Sequence, residues 1–385
     1  MSVTDSISFS PEELSRYSRH INLPQFGMAA QQKLKEAKVL VIGCGGLGSP
    51  LLLYLAAAGV GTIGLVDFDR VEESNLQRQV LFDVSDVGKQ KAIAAQQKIE
   101  ALNPHINTTI YTERLTAANA MNVIKDYDIV ADGTDNFPTR YLVNDACVLL
   151  NKSYIYAAIH QFEGQVSVFN YINSNGEKGP NYRDLFPISP APKAVPNCAE
   201  AGVLGVLPGI IGSMQALEVI KVITGIGETL SGRLFIFDTL SFQTNIIKIK
   251  HTAGNPLNGT HPTITELIDY EQFCGSASPG NIKEITPQQL TDWQQHEEVQ
   301  LIDVREPYEY EIVNINAQLI PLSTLTNNID KINRNKKVVL HCKSGSRSIQ
   351  AIQLLEEDFG FANLYNLQGG ILQYIDEVAP HLTKY

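Results

Sequence analysis

One stretch near the start of the chain restricts the fold more than any other. Strand-like Lys38-Val39-Leu40-Val41-Ile42 runs into Gly43-Cys44-Gly45-Gly46-Leu47-Gly48, then into helical Leu51–Ala58 and a second strand-like run, Thr62–Asp67. This is a βαβ unit with a glycine-rich first turn. Downstream, helical patterns at Gln90–Leu102 and Pro138–Leu150 alternate with strand patterns at Asn107–Tyr111 and Asp128–Ala131. A mainly parallel sheet covered on both sides accommodates that alternation. After residue 154 the pattern changes to strand pairs, Gly164–Tyr171 and Leu234–Ile249, with a helix Gly212–Ile223 between them, so the sheet is expected to be mixed. Ahead of the unit, Ser10-Pro11-Glu12-Glu13 announces a helix with Ser10 as N-cap and Glu13 closing a capping box.

At 385 residues the chain exceeds one ordinary core, and two domains are expected. Residues 1–275 read as a Rossmann-like α/β domain, 276–282 as a linker inside a Gly/Ser/Pro-rich stretch, and 283–385 as a smaller α/β domain. Gly176–Cys198 is a long loop rich in Pro, Gly and polar residues, the kind that is usually functional or mobile. A net charge of −11 without a basic patch excludes a nucleic-acid surface. The first fourteen residues are polar and acidic, and the apolar stretch Gly202–Leu217 is interrupted by Pro208, Ser213 and Gln215, so no membrane association and a cytoplasmic location are expected. Cys44, Cys147, Cys198, Cys274 and Cys342 are odd in number and lack CxxC pairing, against both a disulfide framework and an all-cysteine zinc site.

The Gly43, Gly45, Gly46 and Gly48 turn, with Asp67 about twenty residues on to accept from ribose hydroxyls, suits any dinucleotide-binding fold. The next segments narrow the choice. They are Asp67-Phe68-Asp69, Ser74-Asn75-Leu76-Gln77-Arg78-Gln79, Gly88-Lys89-Gln90-Lys91 and Asp132-Gly133-Thr134-Asp135-Asn136. A triphosphate brings about four negative charges, and a loop without its own lysine must import cations; Arg78 and Lys91 supply them. Asp135, after a strand at the carboxyl edge of the sheet, is placed as a carboxylate ligand for magnesium. No proton-relay histidine stands out, which disfavours an NAD-dependent oxidoreductase.

In this arrangement residues 9–275 resemble the MoeB/ThiF family, bacterial relatives of ubiquitin-activating enzymes. The resemblance implies ATP as nucleotide, with the glycine turn under the phosphates and Asp67 on the ribose. It places Asn75, Arg78 and Lys91 around the triphosphate and Asp135 on magnesium. Asp69 falls in the same string, where it could equally cap a strand end. Arg19 matches an arginine that reaches the partner subunit's nucleotide, implying a homodimer. The implied reaction is attack by the C-terminal glycine carboxylate of a ubiquitin-fold sulfur carrier ending in Gly-Gly on the α-phosphate. Cys198 sits where family members often carry a cysteine, and a thioester, a mixed disulfide or a structural thiol are its possible states. Many members hold zinc with two CxxC pairs; the corresponding places read Asn181-Tyr182-Arg183-Asp184 and Glu271-Gln272-Phe273-Cys274, so zinc is not expected.

The second domain carries its own signal. Lys337-Val338-Val339-Leu340-His341 leads to Cys342-Lys343-Ser344-Gly345-Ser346-Arg347 and a helix-like Ser348–Glu356. Backbone N–H groups, a helix start and Arg347 facing one cysteine make a loop suited to an anion on sulfur. The loop is one residue shorter than the otherwise similar phosphatase loop, which suits a persulfide better than a phosphate. With Leu301-Ile302-Asp303-Val304-Arg305-Glu306 and Leu367-Gln368-Gly369-Gly370-Ile371, it resembles a rhodanese-type sulfurtransferase domain, departing at Val313-Asn314-Ile315 and Tyr374. Together the resemblances imply that an acyl adenylate made in one domain meets a Cys342 persulfide from the other, charged by a cysteine desulfurase or thiosulfate, to give a thiocarboxylate. The alternative is carrier activation for protein conjugation, with the second domain as a docking or sulfur-carrying module.

Overall fold

The structure is a computed structural model and describes residues 8–173, 175–189, 202–275, 282–296 and 298–385. The chain divides into two compact units, Met1–Ala277 and Ser278–Tyr385.

The first unit is built on strands β1 (Lys38–Ile42), β2 (Thr62–Val66), β3 (Asn107–Tyr111), β4 (Ile129–Asp132), β5 (Ser153–His160), β6 (Glu163–Phe169), β7 (Arg233–Asp238) and β8 (Gln243–Lys248). They form one eight-stranded sheet in the order β3-β2-β1-β4-β5-β6-β7-β8. β3 to β5 in that order pair in parallel and β5 to β8 antiparallel, so the sheet is mixed. The winding reverses between β1 and β4, which opens a crevice at the carboxyl ends of those strands. Register aligns the ends: Ile42 lies level with Val66 and Asp132, and Asp132 level with Tyr156. Gly43, Asp67 and Gly133 therefore leave the sheet side by side.

Each face buries a separate core. One packs Leu34, Leu51, Leu55, Ile99 and Val219 from the helices Gly27–Glu36, Gly48–Ala58, Lys91–Leu102 and Val206–Thr224. The other packs Ile124, Tyr141, Val143, Phe169 and Tyr182 under Ala120–Ile124 and Phe137–Leu149. The N-terminal helix is Pro11–Ile21, with Ser10 and Glu13 in the expected capping box.

Three local expectations change. The stretch Leu234–Ile249 is not one strand but the hairpin β7–β8, turned through Phe242 at φ +57°. The helix expected from Gly212 begins at Val206, because Pro208 falls in its first turn, where a missing N–H costs nothing. β5 was not anticipated at all. The helix Val206–Thr224 is long and apolar enough to cross a membrane by length and composition. It is apolar nearly all round because it is a core helix: Leu207, Ile211, Ala216 and Val219 are buried, and Gln215 Nε2 donates to the carbonyls of Asp132 and Ile155 (2.8 and 2.9 Å).

The second unit holds β9 (Glu284–Ile285), β10 (Val299–Asp303), β11 (Gln318–Leu319), β12 (Lys337–His341) and β13 (Leu364–Leu367), all parallel in the order β11-β10-β12-β13-β9. Its own core gathers Ile302, Leu325, Leu340, Ile352, Leu355 and Leu364. Central β12 delivers the chain to Cys342.

Candidate functional sites

The glycine turn is compact because side chains are excluded from it. A Cβ on Gly48 would lie 2.0 Å from the Gly43 carbonyl oxygen, and one on Gly133 2.9 Å from the same atom. Gly43 itself has φ +88°, a conformation only glycine adopts cheaply. Gly46 leaves room for Pro208 and Arg78, whose nearest atoms would stand 3.2 and 3.8 Å from its Cβ. Gln79, whose Oε1 is buried without a partner among the described residues, covers Gly45 at 3.6 Å from where its Cβ would be.

Asp67 is the hinge of the turn: Oδ2 accepts from the Cys44 N–H (2.8 Å) and Oδ1 from the Asp69 N–H (2.9 Å). Burial pushes its pKa up, with Lys91 and those two N–H groups opposing. Asp69 is exposed and pairs with buried Lys91 at 3.1 Å. Asn75 is buried, and its Oδ1 accepts from the Glu72 N–H at 3.2 Å, which closes the short turn Glu73–Asn75. Arg78 donates Nη1 to the Ser74 carbonyl at 3.1 Å. The two acids after β4 divide the work. Asp132 is fully buried, taking Tyr154 Oη at 2.7 Å and the Thr134 N–H and hydroxyl at 2.8 and 2.6 Å, and burial raises its pKa. Asp135 is exposed and makes no hydrogen bond or ion pair among the described residues. Contacts thus gather Gly43, Gly45, Gly46, Gly48, Asp67, Asp69, Arg78 and Lys91 in one place with the Asp135 loop against them. Arg19 is exposed on Pro11–Ile21, and none of its contacts within the described residues reaches this set. Cys198 lies outside the described residues.

At the two places considered for zinc, a guanidinium stands between aromatic rings. Arg183 Nε and Nη2 fork onto Asp145 at 2.8 Å each, and Tyr270 Oη donates to the same carboxylate at 2.8 Å. The Arg183 guanidinium lies 4.9 Å from the Tyr141 ring and 4.7 Å from the Phe273 ring. Cys274 is buried beside them, and burial raises its thiol pKa. Among the described residues no three His, Cys, Asp or Glu side chains converge as a metal site.

In the second unit Cys342 is fully buried at the mouth of its loop, and its Sγ accepts from the Gly345 N–H at 3.1 Å and from Ser348 Oγ at 3.6 Å. Gly345 takes φ +100° to present that N–H. The start of the loop is held from behind: Ile371 and Leu372 donate backbone N–H groups to the carbonyls of Cys342 and Lys343 at 2.8 and 3.2 Å. Gly370, at φ +61°, permits this, since a Cβ there would sit 2.5 Å from the Cys342 carbonyl oxygen. With those two carbonyls taken up by Ile371 and Leu372, the Gly345 N–H is left to face the sulfur.

Arg347 forks onto Glu309, Nη1 to Oε2 at 2.5 Å and Nη2 to Oε1 at 2.7 Å. Burial alone would raise the Glu309 pKa, but Arg347, the Glu306 N–H and Tyr385 outweigh it and hold the carboxyl below its ordinary range. Tyr385 Oη donates to Glu309 at 3.1 Å and accepts from Arg305 Nη1 at 2.7 Å, while the Lys343 ammonium stands 4.5 Å over its ring. Arg305 in turn is locked on Asp303 at 2.6 Å. Glu309 and Tyr385 were not singled out from the sequence. Only the capping pattern Glu306-x-x-Glu309 hinted at the first.

Two loops at the carboxyl ends of parallel strands, one glycine-rich among acids and cations and the other wrapped around a sulfur, define a class: a nucleotide-binding enzyme joined to a sulfur-bearing domain. Comparison with known proteins makes it specific. The ThiF family matches residues 17–257 and the rhodanese-like domain residues 286–377. The chain belongs to the ThiF family, here carrying a C-terminal rhodanese-like domain. It is 47% identical over 392 residues to the probable adenylyltransferase/sulfurtransferase MoeZ of Mycobacterium tuberculosis, covering 100% of this chain and 98% of that one. It is 42% identical to the adenylyltransferase and sulfurtransferase MOCS3 of Drosophila sechellia, covering 97% and 85%. The sulfur carrier protein adenylyltransferase of Thermus thermophilus matches at 52% identity over 69% of this chain and 98% of its own. Among solved structures, E. coli MccB shares the fold of the first unit, with a TM-score of 0.56 at 24% identity over 66% of this chain and 76% of that one. The chain is an adenylyltransferase with sulfurtransferase activity.

Proposed function

We propose that the first unit adenylates the C-terminal glycine of a ubiquitin-fold sulfur carrier and that Cys342 then supplies the sulfur of a C-terminal thiocarboxylate. The observation that carries this reading is the pairing, in one chain, of the Gly43–Gly48 crevice with a six-residue loop in which the Gly345 N–H and the Ser348 hydroxyl both donate to Cys342 Sγ. The Thermus thermophilus relative, named for a sulfur carrier protein, supports the choice of substrate.

In the first step the carrier carboxylate attacks the α-phosphorus of ATP, an acyl–O–P bond forms and pyrophosphate leaves. Side chains do no covalent work here; positioning and charge neutralisation carry the rate. Lys91, Arg78 and Asn75 are the groups placed to neutralise and orient phosphate oxygens, and Asp67 to hold the ribose. Asp135 is an exposed hard oxygen donor at the carboxyl edge of β4, which suits magnesium, a cation that keeps most of its ligands as water and phosphate. Magnesium there would add to the neutralisation of phosphate charge. In the second step the terminal sulfur of a Cys342 persulfide attacks the acyl carbon, and AMP leaves with the C–O bonding electrons. The product is an acyl disulfide on Cys342. Two electrons from a thiol break its S–S bond and free the thiocarboxylate; Cys198 is one candidate thiol, its resulting disulfide being reduced by an exogenous thiol. A homodimer in which Arg19 reaches the partner's nucleotide, and a cysteine desulfurase or thiosulfate as sulfur source, complete the reading.

The test is carrier-dependent exchange of labelled pyrophosphate into ATP, run beside mass spectrometry of the carrier tail. Cys342→Ala is expected to keep the exchange within about twofold of wild type, because the residue plays no part in charging the carboxylate, and to yield no thiocarboxylate. A Cys342→Ala protein that still makes thiocarboxylate from ATP and a sulfur source would remove the rhodanese-like unit from the reaction.

A further inference from the structure

Arg140 is a buried cation with few hydrogen-bond partners among the described residues. It lies in the first turn of Phe137–Leu149 and is 7% exposed. A guanidinium carries five N–H donors. Among the described residues this one makes a single hydrogen bond, Nη2 to the Thr134 carbonyl at 3.1 Å, and its Nε is buried with no acceptor. The nearby acid, Asp132, spends its oxygens on Thr134 and Tyr154; its charge favours the cation, but it makes no hydrogen bond to it. What flanks the guanidinium is aromatic: the Tyr156 ring at 5.5 Å and the Phe137 ring at 5.7 Å. Burying a charge with so few partners is expensive, and the usual remedy is an anion.

The place of Arg140 says which anion. Its one hydrogen bond goes to Thr134, which stands between Gly133, pressed on the Gly43–Gly48 turn, and exposed Asp135. Tyr156, level with Asp132, puts the guanidinium near the carboxyl ends of β4 and β5. We propose that Arg140 binds an oxyanion of the adenylation reactants, the substrate carboxylate or the α-phosphate it attacks. The proposal rests on the adenylation reading above. A planar fork suits either group, since both present two oxygens to parallel N–H donors.

Two variants, Arg140→Lys and Arg140→Gln, would be compared with wild type in the full-length protein. Thermal unfolding checks the fold, calorimetry reads ATP affinity, and pyrophosphate exchange with a purified Gly-Gly-ended ubiquitin-fold carrier reads its KM. If the carboxylate is the ligand, the carrier KM rises about tenfold or more with ATP affinity unchanged. If the α-phosphate is the ligand, ATP affinity falls by a similar factor. Folded variants with wild-type values in both assays would overturn the proposal and leave the guanidinium a packing group between two rings. Should neither variant fold, a wild-type crystal structure with glycyl-sulfamoyl-adenosine decides: a guanidinium farther than about 4 Å from every acyl and sulfamoyl oxygen overturns it. Absence of carrier-dependent exchange in the wild type would instead strike the adenylation reading itself, while the ATP affinities still report on Arg140.

Discussion

Glu309 shows how much of the sulfur loop is decided by single side chains outside it. Its carboxylate receives both Nη atoms of Arg347 and the hydroxyl of Tyr385, so one acid fixes the loop's own cation and ties it to a residue 76 positions away. Glu309→Gln keeps the size but loses the charge. It is expected to destabilise the unit by about 2 kcal/mol, the range for hydrogen bonds to charged groups, and to weaken sulfur transfer from thiosulfate chiefly through KM. Tyr385→Phe keeps the ring under Lys343 and loses only the hydroxyl. An effect of about 1 kcal/mol on urea unfolding is expected, well short of that for Glu309→Gln. The spacing from Cys342 to Arg347 made these two residues legible in the sequence, since a six-residue loop is a local object. Glu309 stands 38 residues from Arg347 and 76 from Tyr385, and no local pattern links them.

At the level of elements, glycines hold the two loops against their supports. Gly370→Ala would force an L side chain into φ +61° and within 2.5 Å of the Cys342 carbonyl oxygen. A loss of at least about 2 kcal/mol is expected in chemical denaturation, with sulfur transfer impaired because the loop start moves. Gly48→Ala meets the Gly43 carbonyl oxygen at 2.0 Å and is expected to abolish ATP binding by calorimetry. Periodicity found most of the elements: β1, β3 and the helix Lys91–Leu102 fall within a residue of expectation. The hairpin β7–β8 was missed because its turn, Thr239-Leu240-Ser241-Phe242, has no Gly, Asn or Pro to announce it. β5 was missed because its run Tyr154–Ala158 is buried throughout, and a continuous apolar run carries no period.

For the molecule as a whole, two units with separate cores make separable predictions. A fragment spanning 282–385 is expected to fold and to transfer sulfur from thiosulfate to cyanide, because its sheet and core are complete within it. Its stability should also depend on pH through His341, which is buried beneath the Cys342 loop with Nε2 lacking a hydrogen bond among the described residues. Burial lowers its pKa from the ordinary 6.5, with Asp303 opposing. As pH falls below 6.5 the unfolded chain takes up the proton first, so stability declines toward the folded pKa and is full above 6.5. Urea midpoints measured from pH 7.5 to 5 should show that slope, and His341→Asn should flatten it.

The sequence by itself determined the two loops, the sheet that carries the first and the division into two domains, because glycine turns, strand periods and short motifs are set by neighbours along the chain. It also marked Asp135 and Cys342 as the groups to watch. Only the tertiary structure decided that Asp132 is locked inward while Asp135 faces out, that Arg183 is clamped by Asp145 between aromatic rings, and that Arg140 is buried with a single hydrogen bond among the described residues. Burial and charge pairing depend on which distant segments arrive at the same place, and that is settled when the sheet closes its crevice and the helices pack upon it.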